Sequence, residues 1–193
     1  MAKSKITKAK RKDMAETILI PAGIEMTVKG REIIAKKGDK EVSRYLDPTV
    51  NCKIQEGSLI LSTKKARRTE KRKMGTTVSH IKNIFEGFDK EYEYELEICH
   101  VHFPMTVTYD KAKSEFAIKN LLGERSPRIL KAISPKKIEV EIKSPIIKIK
   151  SYDLEAAGQN AANLEKKSRI RNRDRNKFQD GIFITKKPGK HFI

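Results

Sequence analysis

An α+β fold of two homologous domains, each an antiparallel sheet covered on one face by a helix, is what this sequence predicts. Three observations carry the expectation. Runs of short, alternating apolar stretches divided by turn residues are followed, twice along the chain, by a stretch of helical period. The two halves also match position by position: Met26-Thr27-Val28 with Met105-Thr106-Val107, Gly38 with Gly123, and residues 50–54 with 138–142. The offsets lie between about 79 and 88 residues, a period that suggests duplication of one αβ unit. Finally, 193 residues leave room for two small domains, and each half has enough alternation and one helical stripe to close a core.

Residues 1–15 read as a basic tail, expected to be disordered in isolation. The first domain, 16–88, opens with strands expected at 17–20, 26–29, 33–35, 42–45, 50–54 and 59–61. Pro21-Ala22-Gly23, Lys29-Gly30, Gly38-Asp39, Asp47-Pro48 and Glu56-Gly57 supply the turns between them. From 65 to 86 the period changes: Met74, Val78, Ile81, Ile84 and Phe85 recur at three- and four-residue steps, with Gly87 placed as the C-terminal cap. Gly75 costs roughly 1 kcal/mol relative to Ala inside a helix, which suggests a break or a close packing contact there.

The second domain, 89–185, begins with a strand on which Glu91, Glu93, Glu95 and Glu97 share one face and Tyr92, Tyr94, Leu96 and Ile98 the other. Such an acidic face meets solvent or a basic protein partner. Strands are expected at 101–109, 115–120, 128–132, 138–143 and 146–150. A helix follows with Ser151 as N-cap and Leu154, Ala157, Ala161 and Leu164 on one face. Just beyond it, Arg169, Arg171, Arg173 and Arg175 alternate with Ile170, Asn172, Asp174 and Asn176, so an extended chain would aim the four arginines the same way. Residues 186–193 read as a basic C-terminal tail.

Charge decides the class of partner. Lys and Arg number 43 against 25 Asp and Glu, a net +18, and the excess is clustered: the segments 62–73 and 166–177 each hold seven basic residues. Solvated faces usually intersperse both signs, whereas these runs are almost one-signed, which points to a polyanion. Lys64, Arg68 and Arg72 follow i, i+4 spacing and would line one helix face as a row for phosphates. Arginine adds a planar fork for bidentate phosphate contacts. No ring of exposed aromatics is legible beside them, so shape-reading of folded RNA is favoured over recognition of unstacked single strands. These residues do not by themselves decide between RNA and DNA.

Other classes find little support. Only Cys52 and Cys99 are present, which offers no disulfide framework. The apolar runs fall far short of the roughly 20 residues of a membrane span, and Ile18-Leu19-Ile20 stops at Pro21 before a signal-peptide core forms. A Lys-rich import role for the N-terminal tail remains an alternative. His100 and His102, with Cys99 beside them, come nearest to a metal site, yet a structural zinc needs four ligands and no spaced pair completes them. No metal, cofactor or catalytic residue is expected, since Cys99 and His100 would point to opposite faces and no Walker loop, dinucleotide fingerprint or nucleophile elbow occurs.

Several longer stretches then resemble a known family. They are Gly75-Thr76-Thr77-Val78-Ser79-His80-Ile81-Lys82-Asn83-Ile84-Phe85-Glu86-Gly87, His102-Phe103-Pro104-Met105, Asn120-Leu121-Leu122-Gly123-Glu124-Arg125 and Gly158-Gln159-Asn160-Ala161-Ala162-Asn163-Leu164. Arg169-Ile170-Arg171-Asn172-Arg173-Asp174 and Lys177-Phe178-Gln179-Asp180-Gly181-Ile182-Phe183-Ile184 complete the series in family order, with a weaker extension back to Ile18-Leu19-Ile20-Pro21-Ala22-Gly23. They are similar to large-subunit ribosomal protein six, number nine in older eukaryotic naming, in its archaeal and eukaryotic branch. One departure is that the family's Gly-Pro-x-Gly turn is replaced around Lys36-Lys37-Gly38-Asp39.

The resemblance implies two homologous αβ domains and a structural, non-enzymatic role in the large ribosomal subunit. It further implies a place beside the sarcin-ricin loop and the stalk base, near where translation factors dock. Ribosomal RNA and neighbouring ribosomal proteins are the partners expected, without a membrane and without independent homo-oligomers. The compartment implied is the cytoplasm, with nuclear or nucleolar passage if the source is eukaryotic. The RNA contacts expected are Lys64, Arg68 and Arg72 in the first domain and Arg125, Arg128, Arg169, Arg171, Arg173, Lys177, Lys186 and Lys187 in the second. A free-standing nucleic-acid-binding regulator would share the basic patches but sediment away from ribosomes. An RNA-processing enzyme would need a pocket of perturbed titratable groups, for which His100 and His102 are the only candidates.

Overall fold

The computed structural model describes residues 13–191 except Glu56, Lys65 and Arg175, and describes only the backbone of Lys190 and His191. The expected N-terminal tail lies outside the described residues as far as position 12; Met14 already opens the first strand. Alternating apolar residues between the expected turns produce β1 (Met14–Leu19), β2 (Glu25–Lys29), β3 (Glu32–Lys37), β4 (Lys40–Tyr45), β5 (Asn51–Gln55) and β6 (Ser58–Thr63). Helix α1 (Arg68–Asp89) follows. The same plan then repeats as β7 (Tyr92–Cys99), β8 (Thr106–Asp110), β9 (Glu115–Lys119), β10 (Arg128–Lys131), β11 (Ile138–Lys143), β12 (Ile146–Ser151) and α2 (Leu154–Ser168). Two further strands, β13 (Gly181–Lys187) and β14 (Lys190–His191), close the chain.

The chain divides into two compact units whose boundary, between Phe85 and Glu86, falls in the last turns of α1. Each unit shares its strands between two antiparallel sheets, in corresponding orders. The first has β1-β6-β5 and β2-β3-β4; the second has β7-β12-β11 and β8-β9-β10. The duplication expected from the sequence is thus visible in the strand order, and the fold is α+β with two homologous halves. In the second unit β13 is added along the other side of β7, from Gly181 opposite Cys99 to Lys186 opposite Glu95, with an irregularity after Ile184. The expected turn at Gly38-Asp39 forms a regular hairpin in which Lys37 faces Lys40, with Gly38 at φ +58°.

In the first unit the stripe Met74, Val78, Ile81, Ile84 and Phe85 is buried, as are Ile33, Ala35, Leu59 and Leu61 from the strands. Arg44 on β4 donates to His80 Nδ1 on α1 at 3.0 Å, and Lys73 reaches Asp47 at 3.0 Å. In the second unit the core joins Leu96, Phe116, Ile118, Ile147, Ile149, Leu164 and Ile182, with Ala157 and Ala161 presenting the small-residue face of α2. Fully buried Asn160 ties that helix to the chain after β10. Its amide donates to the carbonyl oxygens of Ile133 and Ala156 at 2.8 and 2.7 Å, and its oxygen accepts from Ile133 N at 2.8 Å. Three bonds satisfy a polar group that would otherwise be costly at this depth.

Several local expectations are corrected. Gly87 does not cap α1: the Lys90 amide still bonds to the Glu86 carbonyl, and the helix runs on to Asp89. The glycine serves close approach instead, since a β-carbon there would stand 2.1 Å from the Tyr152 carbonyl oxygen. Gly75, conversely, is exposed in unbroken helix with open space around it. Ser151 ends β12, and its hydroxyl donates to Lys137 O; the helix cap is Asp153, whose carboxylate accepts from Glu155 N at 3.0 Å. No strand forms over 101–105, because Asp180 takes up the Val101 and His102 amides that a ladder would need. The basic C-terminal segment is also no mere tail, since Lys186 and Lys187 belong to β13.

Candidate nucleic-acid interface

The second basic cluster is built around the C-terminus of α2. Lys166 and Lys167 lie in the last turn, where cations complement the helix dipole, and the final carbonyls lack helical partners. Arg128, at the start of β10, meets that need: Nη1 donates to Lys167 O at 2.8 Å and to Arg169 O at 3.1 Å. Nε and Nη2 of the same guanidinium fork onto the Glu124 carboxylate. The hydrogen-bonded Arg128 therefore holds the Glu124 carboxyl below its ordinary value. Arg128 is a positioning clamp that sets where the arginine segment leaves the helix.

The expected alternation of that segment is not realised. Asn172 adopts φ +57°, which breaks an extended run, and Asp174 O accepts from the Lys177 and Phe178 amides to turn the chain. Arg175 lies outside the described residues. Arg169, Arg171 and Arg173 nonetheless converge: with Leu122, Glu124, Arg128, Lys166, Lys167 and Ile170 they line a cleft of about 620 Å³. Its one carboxylate is held by Arg128, which leaves the three exposed arginines and two lysines as an unopposed cationic lining.

A second network fixes the far side of the loop. Asp180 is buried, and its Oδ1 accepts from Val101 N at 2.7 Å and His102 N at 3.1 Å, while His102 Nδ1 donates to Oδ2 at 2.6 Å. The His102 ring stacks on Phe178 with centroids 4.9 Å apart, and the Arg173 guanidinium carbon lies 5.4 Å from the Phe178 centroid. Burial alone would raise the Asp180 carboxyl; the His102 and backbone donors outweigh it and hold the carboxyl below its ordinary value. A group lowered on folding adds stability above its unfolded value, near 4, and loses it as pH falls through the folded value. Unfolding midpoints measured below about pH 5 should therefore fall more steeply for the natural chain than for Asp180→Asn. Parallel profiles would show that Asp180 is not the titrating group.

The other expected contacts are placed apart. Arg125 is exposed in the loop before β10, and exposed Lys177 lies in the turn after Asp174. Lys186 pairs with Glu95 at 3.5 Å, toward the end of β13 remote from Asp180. Lys186 and Lys187 line a different recess, of about 550 Å³, together with Glu86, Asp89, Glu91 and Glu93. In the first unit Arg68 and Arg72 are exposed one turn apart on α1, whereas exposed Lys64 precedes the helix. The helix begins only at Arg68, where Glu70 accepts from Arg67 N at 2.9 Å. Lys73 is committed to Asp47, whose carboxyl is drawn to about 2 by the Thr49 amide and hydroxyl and then by Lys73.

The glutamate face of β7 is partly neutralised within the sheet: Lys148 of β12 lies 3.2 Å from Glu93 and 3.1 Å from Glu95. Among the described residues no group of three or more His, Cys, Asp or Glu could hold a metal ion, and His102 is engaged with Asp180. Sequence spacing did not disclose the Asp180, Phe178 and Glu124 roles, although all three lie inside stretches quoted above for the family resemblance.

No family model matches the chain. It is, however, similar to curated proteins described as large ribosomal subunit protein uL6. The one from Methanobrevibacter smithii is 37% identical over 173 residues, 89% of this chain and 95% of the relative. The one from Methanosarcina mazei is 34% identical over 178 residues, covering 91% and 98% of the two chains. That of Sulfurisphaera tokodaii is 35% identical over 174 residues, covering 89% and 91%.

Proposed function

Since the chain belongs to the family of large ribosomal subunit protein uL6, a structural class and not an enzymatic one, we propose that its second unit anchors it to large-subunit ribosomal RNA. The observation that carries this reading is the cleft at the end of α2, where Lys166, Lys167, Arg169, Arg171 and Arg173 present cations with no free carboxylate among them. Arg125 and Lys177 extend the same surface chemistry. Arg68 and Arg72 on α1 supply a second, separate phosphate row. In line with the family resemblance, the RNA held is that near the sarcin-ricin loop and stalk base, so that the protein supports subunit assembly and factor docking. Neighbouring ribosomal proteins complete its surroundings, and it forms no homo-oligomer of its own.

Binding of the full chain to purified large-subunit RNA should release counterions, with log K falling against log salt by roughly 0.7 to 0.9 per phosphate neutralised. A slope near zero would refute phosphate anchoring. Nuclease protection should map to the sarcin-ricin loop and stalk base, and protection elsewhere would relocate the site. A free-standing regulator would instead remain at the top of a sucrose gradient of cell lysate.

A further inference from the structure

We propose that the second unit carries a stacking site for one unpaired RNA base on Phe103, at the edge of the cationic cleft. The proposal rests on the RNA-anchoring reading above and adds to it a contact with a base.

The loop between β7 and β8 leaves two large apolar side chains in water: Val101 is 73% exposed and Phe103 49%. Such exposure costs little in a loop free to collapse, but this one is held on both sides. Asp180 binds the Val101 and His102 amides, and the His102 ring stacks on Phe178. Beyond Phe103, Asn120 Nδ2 donates to Pro104 O at 2.9 Å. The Phe103 ring is thus presented, not merely uncovered. One edge of it lies over Gly123, with three ring atoms 3.7 to 3.9 Å from where a β-carbon would stand. Gly123 has φ +78°, a conformation that other residues adopt only with strain, so this support is bare backbone and the rest of the ring stays open.

A half-exposed aromatic ring seated by one edge on backbone, in a loop held on both sides and next to arginines, is an arrangement on which unstacked bases can be held. The charge around it selects a nucleic acid over a protein occupant. Arg125, Arg169, Arg171, Arg173 and Lys177 are exposed on the adjoining loops. The carboxylates there are engaged or withdrawn: Glu124 by Arg128, Asp174 by the Asn176 amide, and Asp180 by burial. A phosphate on the cleft arginines would leave its own base free to turn onto Phe103. The sequence alone disfavoured unstacked bases because Val101 and Phe103 are remote in sequence from the arginines; the fold brings them to the same end of the unit.

The chain contains no tryptophan, so Phe103→Trp introduces a single reporter at the site itself. The probes are an RNA hairpin with one unpaired adenosine in its stem and the same hairpin fully paired, each titrated onto the full-length chain. Tryptophan emission should be quenched, and shielded from iodide, by the first hairpin and not by the second. Phe103→Ala should weaken the bulged hairpin about ten-fold and leave the paired one unchanged, while Phe103→Trp retains binding. Equal effects of Phe103→Ala on both hairpins, or a silent reporter when both are bound, would overturn the stacking site while leaving phosphate anchoring in place. Failure of both hairpins to bind would instead remove the anchoring reading. A reporter shielded only by RNA-free ribosomal proteins would assign the patch to a protein partner and also overturn the proposal. Should Phe103→Ala fail to fold, the reporter variant still decides.

Discussion

Replacing Arg169, Arg171 and Arg173 together by Gln is expected to remove the protein from large ribosomal subunits while leaving it folded. All three side chains are exposed, and the bond that Arg169 contributes to the clamp is accepted by its carbonyl, which survives the change. The structural loss is confined to the Arg173 contact with Phe178, worth roughly 0.5 to 1 kcal/mol at an exposed position. If each arginine neutralises one phosphate as proposed, their loss should instead flatten the salt dependence of RNA binding by about 2 to 3 in slope, and lower affinity at every sequence. Co-sedimentation of the tagged variant with large subunits is the measurement, and undiminished co-sedimentation of a correctly folded variant would sink the assignment. Arg128→Gln gives a useful contrast, because it unfastens the end of α2 and should lower both stability and incorporation. Arg68→Gln with Arg72→Gln, on the first unit, should weaken incorporation without altering the fold.

The local pattern of the sequence carried most of the element plan, because strands of alternating burial and one helical stripe per half are nearest-neighbour signals. The duplication was legible because that local plan occurs twice, with matched positions at similar offsets, and it reappears in the matched sheet orders. What could not be read was whatever depends on residues far apart in the chain. Alternation over 169–175 looked extended, but a left-handed Asn172 and the Asp174 turn bend it, and Asp180 is committed to His102 across 78 positions. Four glutamates in a row looked like a bare acidic face until β12 placed Lys148 against two of them. Arg169, Arg171 and Arg173 line one cleft without forming the extended row, and Arg128, grouped with them as an RNA contact, has its guanidinium bonded to Glu124 and to two backbone carbonyls. Strand β13 was hidden by its composition: Gly181 and Ile182 are buried, Phe183 and Ile184 half-buried, while its basic end suggested a tail.

The two glycines of α1 should respond to alanine with opposite signs. Gly75 is exposed, mid-helix and surrounded by open space, so Gly75→Ala removes only the entropic penalty of glycine and should stabilise by about 1 kcal/mol. Gly87 is equally helical and would gain the same propensity. There, however, a β-carbon would stand 2.1 Å from the Tyr152 carbonyl oxygen, 3.2 Å from the carbonyl carbon and 2.9 Å from the Tyr92 ring. The nearest obstacle is backbone and cannot rotate away. Phe88, buried and stacked with Tyr152 at 6.2 Å between centroids, must move with the helix if the helix withdraws. Overpacking of this kind costs roughly 1 to 3 kcal/mol and more when backbone must shift, which outweighs the propensity gain. Chemical denaturation of the two single variants should therefore move the midpoint up for Gly75→Ala and down, by the larger amount, for Gly87→Ala. A shift of the same sign in both would mean that α1 does not pass Tyr152 as closely as the structure has it, and that Gly87 acts at the helix end after all.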